Sequence, residues 1–202
     1  MMDEANPPKA AKERLMRKTE EARLLGENAR KTQEVAEGLF PGEKFVSDMA
    51  EAQPRNKYAK GLCVPQNVKV AESRIPVNSD QRDVLRKELK QAEILAKMGS
   101  SVYLTPERSG YKVSVADAIV NGVPFEFRNV TETAKRVEKR FGSAKEKGDG
   151  MNVFLRLDTD VTIDEARRRI GLVLGRHPKY TGRIIVSTKE GEVYFWDTAS
   201  FR

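Results

Sequence analysis

The sequence predicts an α+β protein. Its core is a mixed, largely antiparallel sheet with helices packed on it, in the order α-β-β-β-α-β-α-β-β, and a helical segment precedes that core. Three observations carry the prediction. After Ser79 the apolar spacing alternates between a helical period and a strand period. Asn121-Gly122 lies between two strand-like runs, the strongest short hairpin signal a sequence offers. Thr162-Ile-Asp-Glu165 is a capping box ahead of an apolar helical stripe.

The elements follow in order. Up to about Gly38 the chain is nearly all charge and alanine, and Glu20, Glu21 and Glu27 stand three or four residues from basic partners. Leu15, Leu24, Leu25, Val35 and Leu39 are sparse and loosely periodic. This predicts a solvated helix or helical hairpin, either a docking arm or a frayed tail. Between Phe40 and Asn78, the residues Gly42, Pro54, Gly61, Pro65 and Pro76 break the chain. The strand-like piece there is 68–77, and the stretch reads as a linker that packs on something larger. Residues 1–78 are thus expected as a charged helical arm and irregular linker, and 79–202 as one α+β domain of about 120 residues.

In that domain Leu85, Leu89, Ala92 and Ala96 recur at helical spacing, and Gly99 stops the run. Val102-Tyr-Leu is a short strand. Residues 112–120 and 125–130 are the two arms of the hairpin. Thr131 is expected to cap a helix with the stripe Ala134, Val137, Phe141 and Ala144, ended by Gly148 and Gly150. Residues 152–157 form a strand, and the helix after Thr162 presents Ile163, Ala166, Ile170, Val173 and Leu174 on one face. Strands at 183–188 and 192–196 close the domain around Glu190-Gly191.

Composition narrows the function. The chain has 202 residues and a net charge of +7, which favours a polyanionic partner. No run approaches the roughly 18 uncharged apolar residues of a membrane span. The first 30 residues hold no apolar stretch of the secretory-signal kind. One cysteine, Cys63, and one histidine, His177, leave no internal disulfide, no cysteine-built zinc site and no pair of imidazoles. Phosphate-loop, dinucleotide-fingerprint, zinc-protease, nucleophile-elbow and EF-hand signatures are absent from the sequence.

Three constellations can carry chemistry. Asp117 and Glu126 lie about equally far from the Asn-Gly turn and should be near cross-strand neighbours. Arg128 is two residues from Glu126 and shares its face. Two carboxylates and a guanidinium therefore converge, either as a surface salt bridge, as a divalent-metal site, or as a site where one carboxylate acts as a base. The helix after the hairpin carries Lys135, Arg136, Lys139, Arg140, Lys145 and Lys147, a face suited to a phosphate backbone or to internal ion pairs with Glu132, Glu138 and Glu146. Nearer the C-terminus, His177 ionises nearest neutrality and is a candidate acid or base, or an incidental loop residue. Tyr194 and Trp196 alternate on the last strand and can stack on bases or simply serve the sheet.

The stretches AEILAKMGSSVYLTPE, VADAIVNGVPFEFRN, NVFLRLD and GRIIVSTKEGEVYFWD resemble the C-terminal nuclease domains of polymorphic bacterial toxins of the contact-dependent growth inhibition, CdiA type. The same domain type is similar to tails on phage minor head proteins of the Mu F kind. The resemblance covers roughly residues 91–197. It implies the barnase, EndoU, colicin and RelE-like class, cleavage of tRNA, action in the cytoplasm after delivery or a phage association, and an acidic immunity partner. One departure stands out: Arg128 occupies the family's usual lysine position after Glu-Phe. Arginine grips phosphate but gives up no proton near neutral pH.

The expectation is a ribonuclease acting on tRNA or other structured RNA by metal-independent transesterification, without a cofactor. Asp117, Glu126, Arg128 and His177 are its candidate catalytic residues, with Glu126 or His177 as base and Arg128 as phosphate clamp. Arg136, Lys139, Arg140 and Tyr194 are its candidate nucleic-acid contacts. Two alternatives stay open: a Mg²⁺-dependent nuclease of the PD-(D/E)xK kind with Asp117 and Glu126 as ligands, and a non-enzymatic phage or mobile-element protein that binds nucleic acid.

Overall fold

A computed structural model describes residues 9–106 and 116–201. The elements are α1 (Lys9–Leu39), β1 (Phe45–Val46), α2 (Met49–Ala52), β2 (Val68–Ala71), a 3-10 turn (Glu72–Arg74), α3 (Ser79–Lys97), β3 (Val102–Leu104), β4 (Ala118–Val120), β5 (Val123–Val130), α4 (Ala134–Lys145), β6 (Asn152–Leu157), α5 (Ile163–Arg176), β7 (Ile184–Ser187) and β8 (Val193–Trp196). A last 3-10 turn spans Thr198–Phe201. The fold is the expected mixed α+β sheet with helices packed on it.

The eight strands lie side by side in chain order. The pairs β2–β3, β5–β6 and β6–β7 are parallel, and the other four are antiparallel. Each parallel pair is joined through a helix, as geometry requires of a crossover. The boundary expected at Asn78 falls at the N-cap of α3, and strands from both sides of it share this sheet.

Both faces of the sheet are covered, which explains why β6 and β7 read as nearly continuous apolar runs. On one face Val102, Leu104, Phe125, Phe127 and Phe154 pack with Leu85, Leu89, Ala92 and Leu95 of α3. The opposite face is covered in two places. Tyr103 and Ile119 meet Ala36 and Phe40 at the end of α1. Val153, Leu155, Ile184 and Val186 meet Val137, Phe141, Ile170 and Val173 of α4 and α5. Glu126 points into the strip between these two patches, because Phe125 and Phe127 on either side of it face α3.

Several local readings are refined. The N-terminal segment is one helix of 31 residues, about 46 Å long at 1.5 Å per residue. Residues 16–24 of it are exposed, and its C-terminal end docks on the hairpin. Asn121 and Gly122 both have positive φ, 50° and 81°, as the tight hairpin turn demands. Gly122 also permits close approach: its N–H donates to Thr32 Oγ1 at 3.1 Å, and an added Cβ would stand 3.2 Å from Lys31 Cβ. The stretch 40–78 holds more order than its glycines and prolines suggested, contributing β1, α2 and β2. Of the strand expected at 112–120, residues 112–115 lie outside the described residues. Thr133, not Thr131, is the N-cap of α4, and its hydroxyl makes no capping bond. Half of the capping box forms: Thr162 Oγ1 accepts from the Glu165 N–H at 3.3 Å, while the Glu165 carboxylate turns to Arg168 and Arg169.

Candidate active site

The register of the hairpin sets Ala118 opposite Phe125, and so Asp117 opposite Glu126. The expected convergence is present. Arg128 Nη1 donates to Asp117 Oδ2 at 2.9 Å, and its Nη2 contacts Glu126 Oε1. Asp117 Oδ2 also accepts from the Phe127 N–H at 2.9 Å, which pins the carboxylate at the mouth of the ladder.

A fourth charge completes the cluster. Lys147 Nζ donates to Glu126 Oε2 at 2.6 Å. Lys147 follows α4, where the chain is turned by the hydrogen bond from its N–H to the Ala144 carbonyl. The side chains of Arg128, Asp117 and Lys147 are 22%, 22% and 28% exposed, whereas that of Glu126 is fully buried. Burial pushes the Glu126 carboxyl above the usual carboxylate range, and the Asp117 charge adds to this. The hydrogen bond from Lys147 and the charges of Arg128 and Lys147 pull the other way.

The cluster borders a pocket of about 230 Å³ among the described residues, lined by Arg74, Glu88, Thr105, Asp117 and Lys147. Arg74 comes from the 3-10 turn after β2. Its guanidinium is buried against the Glu88 carboxylate, and its Nη1 reaches the Asp117 carbonyl at 3.4 Å. The Thr105 N–H donates to the same carbonyl at 3.1 Å.

The other expected residues lie elsewhere. His177 is exposed at the C-cap of α5 and lines a separate cavity with Leu174, Tyr180 and Phe201. It does not join the carboxylate cluster. Arg136 pairs with Glu132 at 2.8 Å, and Lys139 and Arg140 are exposed on α4. Glu138 is turned toward α5, where it meets Arg169 and Arg176. Tyr194 donates to Glu192 at 3.0 Å on β8, at the edge of the sheet, and that hydrogen bond holds its phenol above the ordinary range. Sequence reasoning placed Lys147 on the basic helix rather than in the site, and passed over Arg74. A lysine in a basic run carries no local sign of a buried carboxylate partner 21 residues upstream.

A divalent ion would find the opposed carboxylates Asp117 and Glu126 here, with Glu88, held by Arg74, lining the same pocket. Both are already engaged by cations, and the four charges sum to zero: two negative, two positive. Among the described residues no three of His, Cys, Asp and Glu gather as a ligand cluster. The arrangement therefore fits an anionic ligand that competes for Arg128 and Lys147 more readily than an added cation.

The fold and the site together define an α+β domain with a buried carboxylate held between a guanidinium and an ammonium. No protein-family model and no curated protein matches the sequence. Among solved structures, the chain is similar to the CdiA-CT/CdiI toxin and immunity complex from Burkholderia pseudomallei. That similarity has a TM-score of 0.45 and 21% identity, over 59% of this chain and 89% of the other.

Proposed function

We propose that this protein is a toxin-type ribonuclease that cleaves tRNA or other structured RNA by metal-independent transesterification. The observation that carries the reading is the buried Glu126 carboxylate gripped by Arg128 and Lys147 beside a pocket. A general base works best when its proton affinity lies near the working pH, and burial moves Glu126 in that direction. Glu126 takes the proton of the ribose 2′-OH. The 2′-oxygen attacks the neighbouring phosphorus, and the bond from phosphorus to the 5′-oxygen breaks. Arg128 stabilises the charge that develops on the phosphoryl oxygens. Asp117 orients Arg128. Glu126 is the base in preference to His177, because His177 lines a different cavity.

The cations of α4, the exposed Lys139 and Arg140 and the half-buried Arg136 among them, hold the RNA backbone beyond the site. The toxin class rests on the resemblance carried by the sequence motifs around Asp117, Asn121-Gly122 and Glu126. With it comes an acidic immunity protein that covers the basic face.

A second reading is a metal-dependent nuclease. Direct opposition of Asp117 and Glu126 favours it, since a divalent ion between them would displace Arg128 and Lys147. One experiment separates the two. Purified protein is incubated with total tRNA, with and without EDTA, beside Glu126→Gln. The expected result is discrete fragments with 2′,3′-cyclic ends that survive EDTA and fall about 100-fold or more in the variant. Cleavage abolished by EDTA moves the assignment to the metal-dependent enzyme. No cleavage under either condition refutes tRNA as the substrate of either enzyme.

A further inference from the structure

The transesterification proposed above needs a proton for the departing 5′-oxygen, and Arg128 cannot give one near neutral pH. We infer that Lys147 is the proton donor, a catalytic residue supplied by the end of α4 in place of one on β5.

Three observations support it. Lys147 Nζ sits 2.6 Å from Glu126 Oε2, so acid and base share one hydrogen bond. Lys147 lines the pocket beside Asp117 and covers Glu126 Oε2, so a ligand that draws the ammonium aside meets both members of the pair. Arg128 is fixed by Asp117 Oδ2, by Glu126 and by the Phe127 carbonyl at 2.8 Å, which suits a clamp and not a proton carrier.

The step balances. Glu126 accepts the 2′-hydroxyl proton as the oxygen-to-phosphorus bond forms. The bond to the 5′-oxygen breaks, and that oxygen takes a proton from Lys147 Nζ. The site resets when the proton on Glu126 passes to Lys147 across their shared hydrogen bond. No external acid, metal or oxidant enters.

The inference rests on the ribonuclease reading, and its test keeps the two apart. The cleaved bond is first mapped with the wild type. A tRNA is then assembled by ligation with a single 5′-bridging sulfur at that bond. Sulfur departs as a thiolate and needs no proton donor. Lys147→Arg keeps the positive charge but cannot donate. The expected result is a loss of about 100-fold or more on natural tRNA and a loss under tenfold on the sulfur-bearing tRNA. Equal losses on both substrates would assign Lys147 a structural role and overturn the inference. Undiminished cleavage of natural tRNA by Lys147→Arg would overturn it too, with the ribonuclease reading intact. A wild type that cleaves neither substrate would overturn the ribonuclease reading itself.

Discussion

Removing Lys147 alone from the Asp117–Glu126–Arg128–Lys147 cluster should cost far more than removing it together with the Glu126 charge. Glu126→Gln leaves a net charge of +1, and Lys147→Met leaves a fully buried carboxylate facing Asp117 with Arg128 as its remaining cation. Breaking a buried ion pair by deleting one partner costs about 3–5 kcal/mol. Lys147 is 28% exposed, so solvent softens its share and places Lys147→Met near the lower end, about 3 kcal/mol, whereas Glu126→Gln, which stands in for the protonated carboxyl that burial favours, should cost far less. The double variant restores neutrality around Asp117 and Arg128. Two charges about 4 Å apart at an effective dielectric near 20 interact by about 4 kcal/mol. With Arg128 still on Glu126, the coupling should be about 2–3 kcal/mol. The assay is urea unfolding of the wild type, both singles and the double at pH 7, repeated at pH 5. Burial raises the proton affinity of Glu126 in the folded state. Such a group gives stability that is present at low pH and lost as pH rises through its folded value. Relative to Glu126→Gln, the wild type should therefore lose stability as pH rises from the ordinary carboxyl value of 4.5. The coupling to Lys147 should shrink as pH falls through the raised folded-state value of Glu126. A coupling within about 0.5 kcal/mol of zero at pH 7 would refute the buried pair.

Two further outcomes are expected. Replacing Lys135, Lys139 and Arg140 together with alanine should weaken tRNA binding and reduce the slope of log affinity against log salt by about 2, since each phosphate contact contributes roughly 0.7–0.9. An unchanged slope in a titration from low to moderate salt would take α4 out of the RNA interface. Tyr180→Phe should cost about 1–1.5 kcal/mol in urea unfolding, because the hydroxyl donates to the Met151 carbonyl at 2.7 Å in a buried site. A loss well under 0.5 kcal/mol would mean that the Met151 carbonyl finds another donor.

The sequence revealed what depends on local chemistry. The Asn-Gly turn fixed the hairpin register, and with it the pairing of Asp117 and Glu126 across two strands. Helical stripes such as Val137, Phe141 and Ala144 announced their faces because each face buries against one layer. Less legible were features set by distant contacts. β1 has two residues, and nothing local distinguishes Phe45-Val46 from loop; its strand character comes from pairing with Val70 and Ala71. The same holds for Arg74, whose burial depends on Glu88 in α3 and on the backbone of Asp117. His177 shows the opposite case: its intrinsic chemistry is conspicuous in the sequence, but only the structure shows that it sits at the C-cap of α5, in a cavity apart from Glu126.

The construction of the site argues that the segment before α3 matters to it. The Asp117 carboxylate is aimed by the Phe127 N–H and Arg128, but its backbone carbonyl is held from the other side by Thr105 and Arg74. Arg74 follows β2, and β2 is placed by parallel pairing to β3 and by antiparallel pairing to β1. A carboxylate that must present one oxygen to Arg128 while lying opposite Glu126 tolerates little drift, because a shift of one residue in register would turn it to the other face of the sheet. The stretch 40–78 thus acts on the site through geometry without lending it a reacting group. The four charged groups of the cluster come from the residue before β4, from β5 and from just past α4, three pieces that meet only after the hairpin has closed and the β5-α4-β6 crossover has folded back over it.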